Sequence, residues 1–265
     1  MRDKLALVTG ASSGIGYSLA MELGRRGYDL AICSSGERLE SAAAELRTTG
    51  VDVTPIMEDL STRNGVTELW NSVMDIGRPI DVACINAGVG VGGKFAETDL
   101  ATELKMVELN CVGVVHLAKY VVQHMVALNS GRILITSSIA GEMVAPREAV
   151  YAATKAFDLS FAQSLRYELK DTGVSVTALQ PGPTDTDFFH RAGMDNTQAG
   201  TEGKQDSQPD DVARQGLDAL FDGKDHVYAA SMKTKMEGAM ANVIPGSVKG
   251  AMHDEMAKPL NEKDK

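Results

Sequence analysis

Lys4-Leu-Ala-Leu-Val-Thr-Gly10-Ala-Ser-Ser-Gly14-Ile-Gly16 decides the fold. Residues 4–9 are a short, continuously apolar strand. A turn with glycines at 10, 14 and 16 follows, and a helical period then runs through about Arg26. Glycine lets the backbone turn tightly and approach a bulky anion, while the first turn of the helix offers free N–H groups and a positive dipole end. A strand, a Gly-x-x-x-Gly-x-Gly turn and a helix together point to a nucleotide. The plain alternative is a tight turn. The spacing is not the Gly-x-Gly-x-x-Gly of larger dinucleotide-binding domains.

The alternation continues outward from there. Apolar runs at 28–34, 51–57, 80–85, 131–137, 174–180 and 225–230 read as strands. Amphipathic stretches at 37–48, 61–76, 99–110, 112–128, 150–172 and 208–221 read as helices, with Ser61 as an N-cap and Pro209 in a first turn. Strands that are apolar throughout, separated by helices, are buried on both faces. The expected fold is α/β: a Rossmann-like doubly wound parallel sheet of about seven strands with helices on both faces. No linker composition and no repeat divides the chain, so residues 1–265 read as a single domain with a helical extension at 231–265. Met232, Met236, Met240 and Val243, then Met252 and Met256 beyond Pro245, recur at helical spacing in that extension. Such an adaptable apolar stripe packs on the domain, against a second subunit, or over a pocket.

The formal net charge of −10 opposes binding to a phosphate backbone. No apolar run is long enough to span a bilayer, and the N-terminus enters a strand with no signal peptide. Cys33, Cys84 and Cys111 lie in apolar stretches with no metal-ligand spacing, as expected of buried thiols in a reducing cytoplasm. No metal is expected.

Ser138 ends the fifth strand pattern. Tyr151 and Lys155 then sit four residues apart on one helix face. An ammonium beside a phenol favours the phenolate, and a tyrosine tuned in this way can give or take a proton. Ser138 is placed to hold the oxygen being protonated. Tyr-x-x-x-Lys alone is common by chance. Here it follows the glycine turn at 9–16, Asp59-Leu60, Asn86-Ala87-Gly88, Asn110 and Ser138, and precedes Pro181-Gly182, all in one order. In these motifs, over about residues 4–230, the chain closely resembles the compact single-domain short-chain dehydrogenase/reductases.

The resemblance implies an NAD(P)-dependent oxidoreductase acting on a carbonyl or secondary alcohol, with Asn110, Ser138, Tyr151 and Lys155 as its catalytic set. Asn110 would kink a helix and hold a water against Lys155. It implies cofactor contacts from Gly10, Ser12, Ser13, Gly14, Ile15, Gly16, Asp59, Leu60, Asn86, Ala87, Gly88, Tyr151, Lys155, Pro181, Gly182, Thr184 and Thr186. The second strand ends Ser34-Ser35 with no carboxylate at once behind it, so Ser34, Ser35 and Arg38 favour NADP over NAD. The arginine common after this strand in NADP users is replaced by Ser35, and the basic residue of the glycine turn by Ser13. By position, residues 185–208 form a substrate lid. Asp185 and Asp187 read as helix caps and His190 as surface or pocket wall. Val89, Ala140, Met143, Val144 and Phe188 line a pocket suited to a medium-sized apolar ketone or aldehyde. Homodimers or homotetramers through the helices starting near Val112 and Val150 are expected. A catalytically silent cofactor-sensing protein and a 3-oxoacyl-thioester reductase remain as alternatives, and the glycine spacing opposes a sugar-nucleotide epimerase.

Overall fold

The structure, a computed structural model, describes residues 4–198, 200–201, 207–229 and 245–260. In β1 (Lys4–Thr9), Ala6 and Val8 point to one side of the sheet, and Leu5 and Leu7 to the other. Both sides are buried. That two-sided demand explains why the inner strands read as apolar and why helices form the crossovers between strands. With β2 (Tyr28–Ser34), β3 (Val53–Met57), β4 (Ile80–Ile85), β5 (Gly131–Thr136), β6 (Val174–Pro181) and β7 (His226–Ala229), it forms a seven-stranded parallel sheet in the order β3-β2-β1-β4-β5-β6-β7. Pro55 lies in the edge strand β3, where a missing N–H breaks no ladder.

One face is covered by α1 (Gly14–Arg25), α2 (Arg38–Leu46) and α8 (Pro209–Phe221), through Leu19, Leu23, Leu39, Leu46, Leu217 and Leu220. The other is covered by α3 (Arg63–Asp75), α5 (Val114–Ala127) and α6 (Ala149–Glu168), through Val66, Leu69, Val73, Leu117, Val121 and Ala162. Each of these buried valine and leucine side chains contributes roughly 1.5–3 kcal/mol relative to leaving it exposed. The chain runs outward from β1 to β3 and returns to β4 beside β1. The strand order therefore reverses between β1 and β4, and a crevice opens beyond their carboxyl ends.

Three local expectations are corrected. Thr62, not Ser61, caps α3: its hydroxyl accepts from Gly65 N at 2.9 Å, while the Ser61 hydroxyl donates to Asp59 at 2.7 Å. The helices expected at 99–110 and 112–128 are one continuous run, in which α4 (Leu100–Val107) joins α5 through a π-helical turn at Glu108–Gly113. That wider turn holds Asn110 inside the protein. Helix α6 ends at Glu168, short of Thr172. Two further helices, α7 (Phe188–Arg191) and α9 (Gly246–Ala257), lie at the sheet's carboxyl end. Met232, Met236, Met240 and Val243 lie outside the described residues.

Candidate active site

The ends of three strands are locked together before any ligand is considered. Thr9 Oγ1 accepts from Asn86 N at 2.9 Å and from Ala87 N at 3.0 Å. The Asn86 amide donates to Thr9 O at 3.1 Å and accepts from Thr136 Oγ1 at 3.0 Å. Asn86 thus ties β1, β4 and β5 at the switch point. Gly10 and Gly14 have φ of +69° and +58°, a backbone that side-chain-bearing residues rarely adopt. Gly88 lies so close to the site that a Cβ there would sit 3.2 Å from Asn110 Oδ1 and 3.4 Å from Lys155 Nζ.

One continuous cleft runs along these ends. Ser34, Ser35, Asp59 and Leu60 line one end, and Gly10, Ser12, Ser13, Gly14, Ile15 and Gly16 form its floor. Asn86, Ala87, Gly88, Pro181, Gly182, Thr184 and Thr186 line the middle, and Ser138, Tyr151 and Lys155 the far part. Ser12 Oγ and Ser34 Oγ are 2.9 Å apart. Burial pushes the Asp59 carboxyl up, but hydrogen bonds from Ser61 and the nearby Lys105 hold it below the usual range. Asp59 therefore caps no helix. A glycine-walled floor, the free N–H groups opening α1 and a carboxylate at the outer end fit a dinucleotide. Among the described residues no cluster of metal-ligating side chains occurs.

At the far part, Ser138 is the extended residue preceding a helical turn at Ile139–Glu142. Its hydroxyl accepts from Ala140 N at 3.2 Å and reaches Pro181 O at 3.4 Å. Ser137 does not compete for the same role, because its hydroxyl is spent on Lys155 O at 2.6 Å. Tyr151 and Lys155 project from the first turns of α6 and are buried. The Phe188 ring lies 5.2 Å from that of Tyr151. Burial pushes the Tyr151 phenol above its usual range, Glu148 and Asp158 push the same way, and Ser138 opposes them. The expected lowering by Lys155 is not what this arrangement delivers. The Lys155 ammonium donates to Thr136 O and to Asp158 Oδ2, both at 2.9 Å.

Some predicted residues lie elsewhere. The Asn110 side chain does not line the cleft. It accepts from Val89 N at 3.0 Å and donates to Val89 O at 2.9 Å and Thr154 Oγ1 at 3.0 Å, so it pins the loop after β4. Arg38 is not on the cleft either. It pairs with Asp187 at 2.7 Å, which explains Asp187 better than a helix cap. Val89, Ala140, Met143 and Phe188 line the cleft as expected, but Val144 is half exposed and faces Gly246 and Gly250 of α9. His190 is exposed and pairs with Asp195. Cys33 and Cys84 are buried, whereas Cys111 is only half-buried.

The structure adds Arg191 and His253, which the sequence pattern did not single out. Arg191 lines the cleft and donates to Ser13 Oγ at 2.9 Å, with Asp187 at 3.3 Å behind it. Helix α9 crosses the substrate end and contributes Met252, His253 and Met256. It is held by His253 to Glu148 at 2.9 Å, Arg147 to Asp254 at 2.9 Å and Lys249 to Glu142 O at 3.0 Å. The methionine spacing hinted at Met252 and Met256, but nothing local announces the pairs.

A family model described as short chain dehydrogenase matches residues 4–197. A Streptomyces exfoliatus protein named 1-deoxy-11-beta-hydroxypentalenate dehydrogenase is 35% identical over 237 residues, covering 87% of this chain and 84% of its own. A short-chain dehydrogenase from Sphingobium yanoikuyae in complex with NADPH superposes with a TM-score of 0.79 at 29% identity, over 85% of this chain and 87% of its own. The bulky-bulky ketone specific alcohol dehydrogenase from Comamonas testosteroni superposes with a TM-score of 0.74 at 27% identity, over 86% of each chain. Among the described residues no helix is long and apolar enough to cross a membrane.

Proposed function

The chain belongs to the short-chain dehydrogenase family, and on that premise we propose that it is an NADP-preferring reductase of medium-sized apolar ketones or aldehydes, with Tyr151 as its acid/base. That it is a nicotinamide-dependent oxidoreductase acting on CH–OH and C=O groups follows from the family. The finer reading rests on one observation. Ser138, Tyr151 and Lys155 converge on a single cleft whose other end is the glycine floor.

When bound, the nicotinamide supplies the hydride. The chain's residues do the rest. Tyr151 gives its phenolic proton to the alkoxide oxygen that forms, and Ser138 donates a hydrogen bond to that same oxygen. Lys155 would hold the nicotinamide ribose, Thr184, Thr186 and the Pro181–Gly182 backbone the carboxamide side, and Asp59 and Leu60 the adenine. Asn110 acts by fixing Val89 on the pocket wall. Phe188, Met143, Met252 and Met256 exclude water from the reacting carbonyl.

The NADP preference rests on the outer end. Ser12, Ser34 and Ser35 offer hydroxyls there, no carboxylate immediately follows β2, and Arg191 brings a guanidinium onto Ser13. The outer faces of α5 and α6 expose Val115, Val126, Phe157 and Tyr167. These are the surfaces a homodimer or homotetramer would cover, and sedimentation tests that. A catalytically silent cofactor sensor is the weaker reading, because the site keeps its serine, tyrosine and lysine. The discriminating experiment follows oxidation of NADPH and NADH in parallel against apolar ketones, aldehydes and 3-oxoacyl thioesters. Turnover of apolar ketones with NADPH is expected. Binding without turnover of any carbonyl compound would refute the proposal.

A further inference from the structure

Helix α6 carries a carboxylate where it packs into the core. Asp158 lies three residues after Lys155, is completely buried, and accepts from Lys155 Nζ at 2.9 Å through Oδ2. Its Oδ1 is equally shut off from solvent and has no hydrogen-bond partner among the described residues. Burial pushes the Asp158 carboxyl above its usual range, and the Lys155 ammonium at 2.9 Å works against that and favours the carboxylate. A carboxylate kept this deep and only half satisfied is costly, so its persistence points to a role beyond packing. Lys155 has three N–H donors. Thr136 O and Asp158 take two of them, and the cleft lies on the Gly88 side of the ammonium. Asp158 thus fixes where Lys155 points, and it places a negative charge against the cation that would otherwise draw the proton off Tyr151.

The groups around the phenol come from three elements. Ser138 comes from the turn after β5. Glu148, bonded to His253 of α9, comes from the start of α6. Lys155 and Asp158 come from α6 itself. The Cys111 thiol of the π-helical turn faces the Lys155–Asp158 pair, but burial and then Asp158 push it up to about 11, so it stays neutral.

We propose that Asp158 is a positioning residue that suits this site to reduction: its buried charge holds the Lys155 ammonium against Thr136 and offsets that ammonium at Tyr151, so the phenol keeps a proton to give to higher pH. The inference rests on the acid/base role assigned to Tyr151 above. In the step itself, a C–H bond would form at the carbonyl carbon with hydride from bound reduced nicotinamide, whose own C–H bond would break to leave the oxidised ring. The Tyr151 O–H bond breaks, an O–H bond forms on the nascent alkoxide, and phenolate remains.

The test uses Asp158→Asn, which keeps the shape and an acceptor for Lys155, and Asp158→Ser as a second variant, both checked by melting. Two readouts are compared with the unaltered protein. One is the pH at which kcat/KM for ketone reduction falls on the alkaline side. The other is the ultraviolet difference titration of the Tyr151 phenolate without substrate, identified as the signal that Tyr151→Phe removes. Both are expected to move to lower pH by about one unit, a tenfold change in the ionised fraction. An unchanged limb and titration in an active enzyme would overturn the role of Asp158 alone. A shift to higher pH, the result if Lys155 lost its proton along with its counter-ion, would also overturn it. A downward phenolate shift in a protein that reduces no carbonyl compound would overturn the assigned activity and leave the charge coupling standing.

Discussion

Replacing Gly16 with alanine tests how tightly the nucleotide end is built. A Cβ at Gly16 would sit 2.5 Å from Asn86 Nδ2 and 2.7 Å from the Gly10 carbonyl carbon, where ordinary contact begins at 3.4 Å. Neither neighbour is a loose end. The Gly10 carbon is backbone, and the Asn86 amide is held by Thr9 and Thr136 at 3.1 and 3.0 Å. The turn must therefore shift by roughly 1 Å, or Asn86 must give up its bonds. Overpacking of this kind costs about 1–3 kcal/mol, and each lost hydrogen bond adds about 1 kcal/mol. Gly16→Ala is expected to lower the unfolding free energy by about 2–4 kcal/mol and to weaken NADPH binding more than about tenfold. Gly36 is the control. It also lies near the nucleotide end, just beyond β2, but nothing lies within 4 Å of a Cβ there and its φ is not in the left-handed region. Gly36→Ala should stay within about 0.5 kcal/mol of the unaltered protein. Urea melts give the first quantity and cofactor fluorescence titration the second. A Gly16→Ala protein with unaltered melting and affinity, or a Gly36→Ala protein equally damaged, would refute the steric reasoning.

Other outcomes follow from single contacts. Arg191→Ala should weaken NADPH binding about tenfold and leave NADH binding unchanged; equal losses for both cofactors would show that Arg191 does not read the 2′-phosphate. His253→Ala strands the buried Glu148 carboxylate and should cost about 2 kcal/mol in urea melts, while the double change with Glu148→Gln should cost less than the sum of the two. Additive losses would mean the two residues act independently. Burial pushes the Asp29 carboxyl up, but the ion pair with Arg78 at 2.6 Å and the Asp52 N–H hold it below its usual range. Its folded value is depressed, so its contribution is present above the unfolded carboxylate range and is lost as pH falls below about 4. Asp29→Asn should flatten that acid loss in melting curves.

The sheet was legible because burial on both faces leaves an apolar run in each inner strand, and β1, β2 and β4 begin and end where the pattern does. Ser138, Tyr151 and Lys155 were legible because a strand end and one helix face bring them together through short-range geometry. The misread positions turned on competition among neighbours. Ser61 and Thr62 are both good caps, and Asp59 claims the Ser61 hydroxyl. Met143 and Val144 are both apolar, and only the path of α9 decides which one faces the cleft. Contacts between distant segments left no local trace: Arg191 reaches Ser13 across 178 residues and His253 reaches Glu148 across 105. Asp158 was visible as an acid three residues after Lys155, but its burial is a property of the packed core and not of the helix pattern.

The proposed chemistry depends above all on the Tyr151 phenol. The measurement is turnover of NADPH with a reducible ketone by Tyr151→Phe, beside its NADPH dissociation constant. The ring remains to pack against Phe188 and the cradle is untouched, so affinity should stay within about threefold. The reduction rate should fall by about a thousandfold or more, the scale of a missing general acid and of its hydrogen-bonded oxygen. A Tyr151→Phe protein that still reduces the ketone within tenfold of the unaltered rate would contradict the assignment.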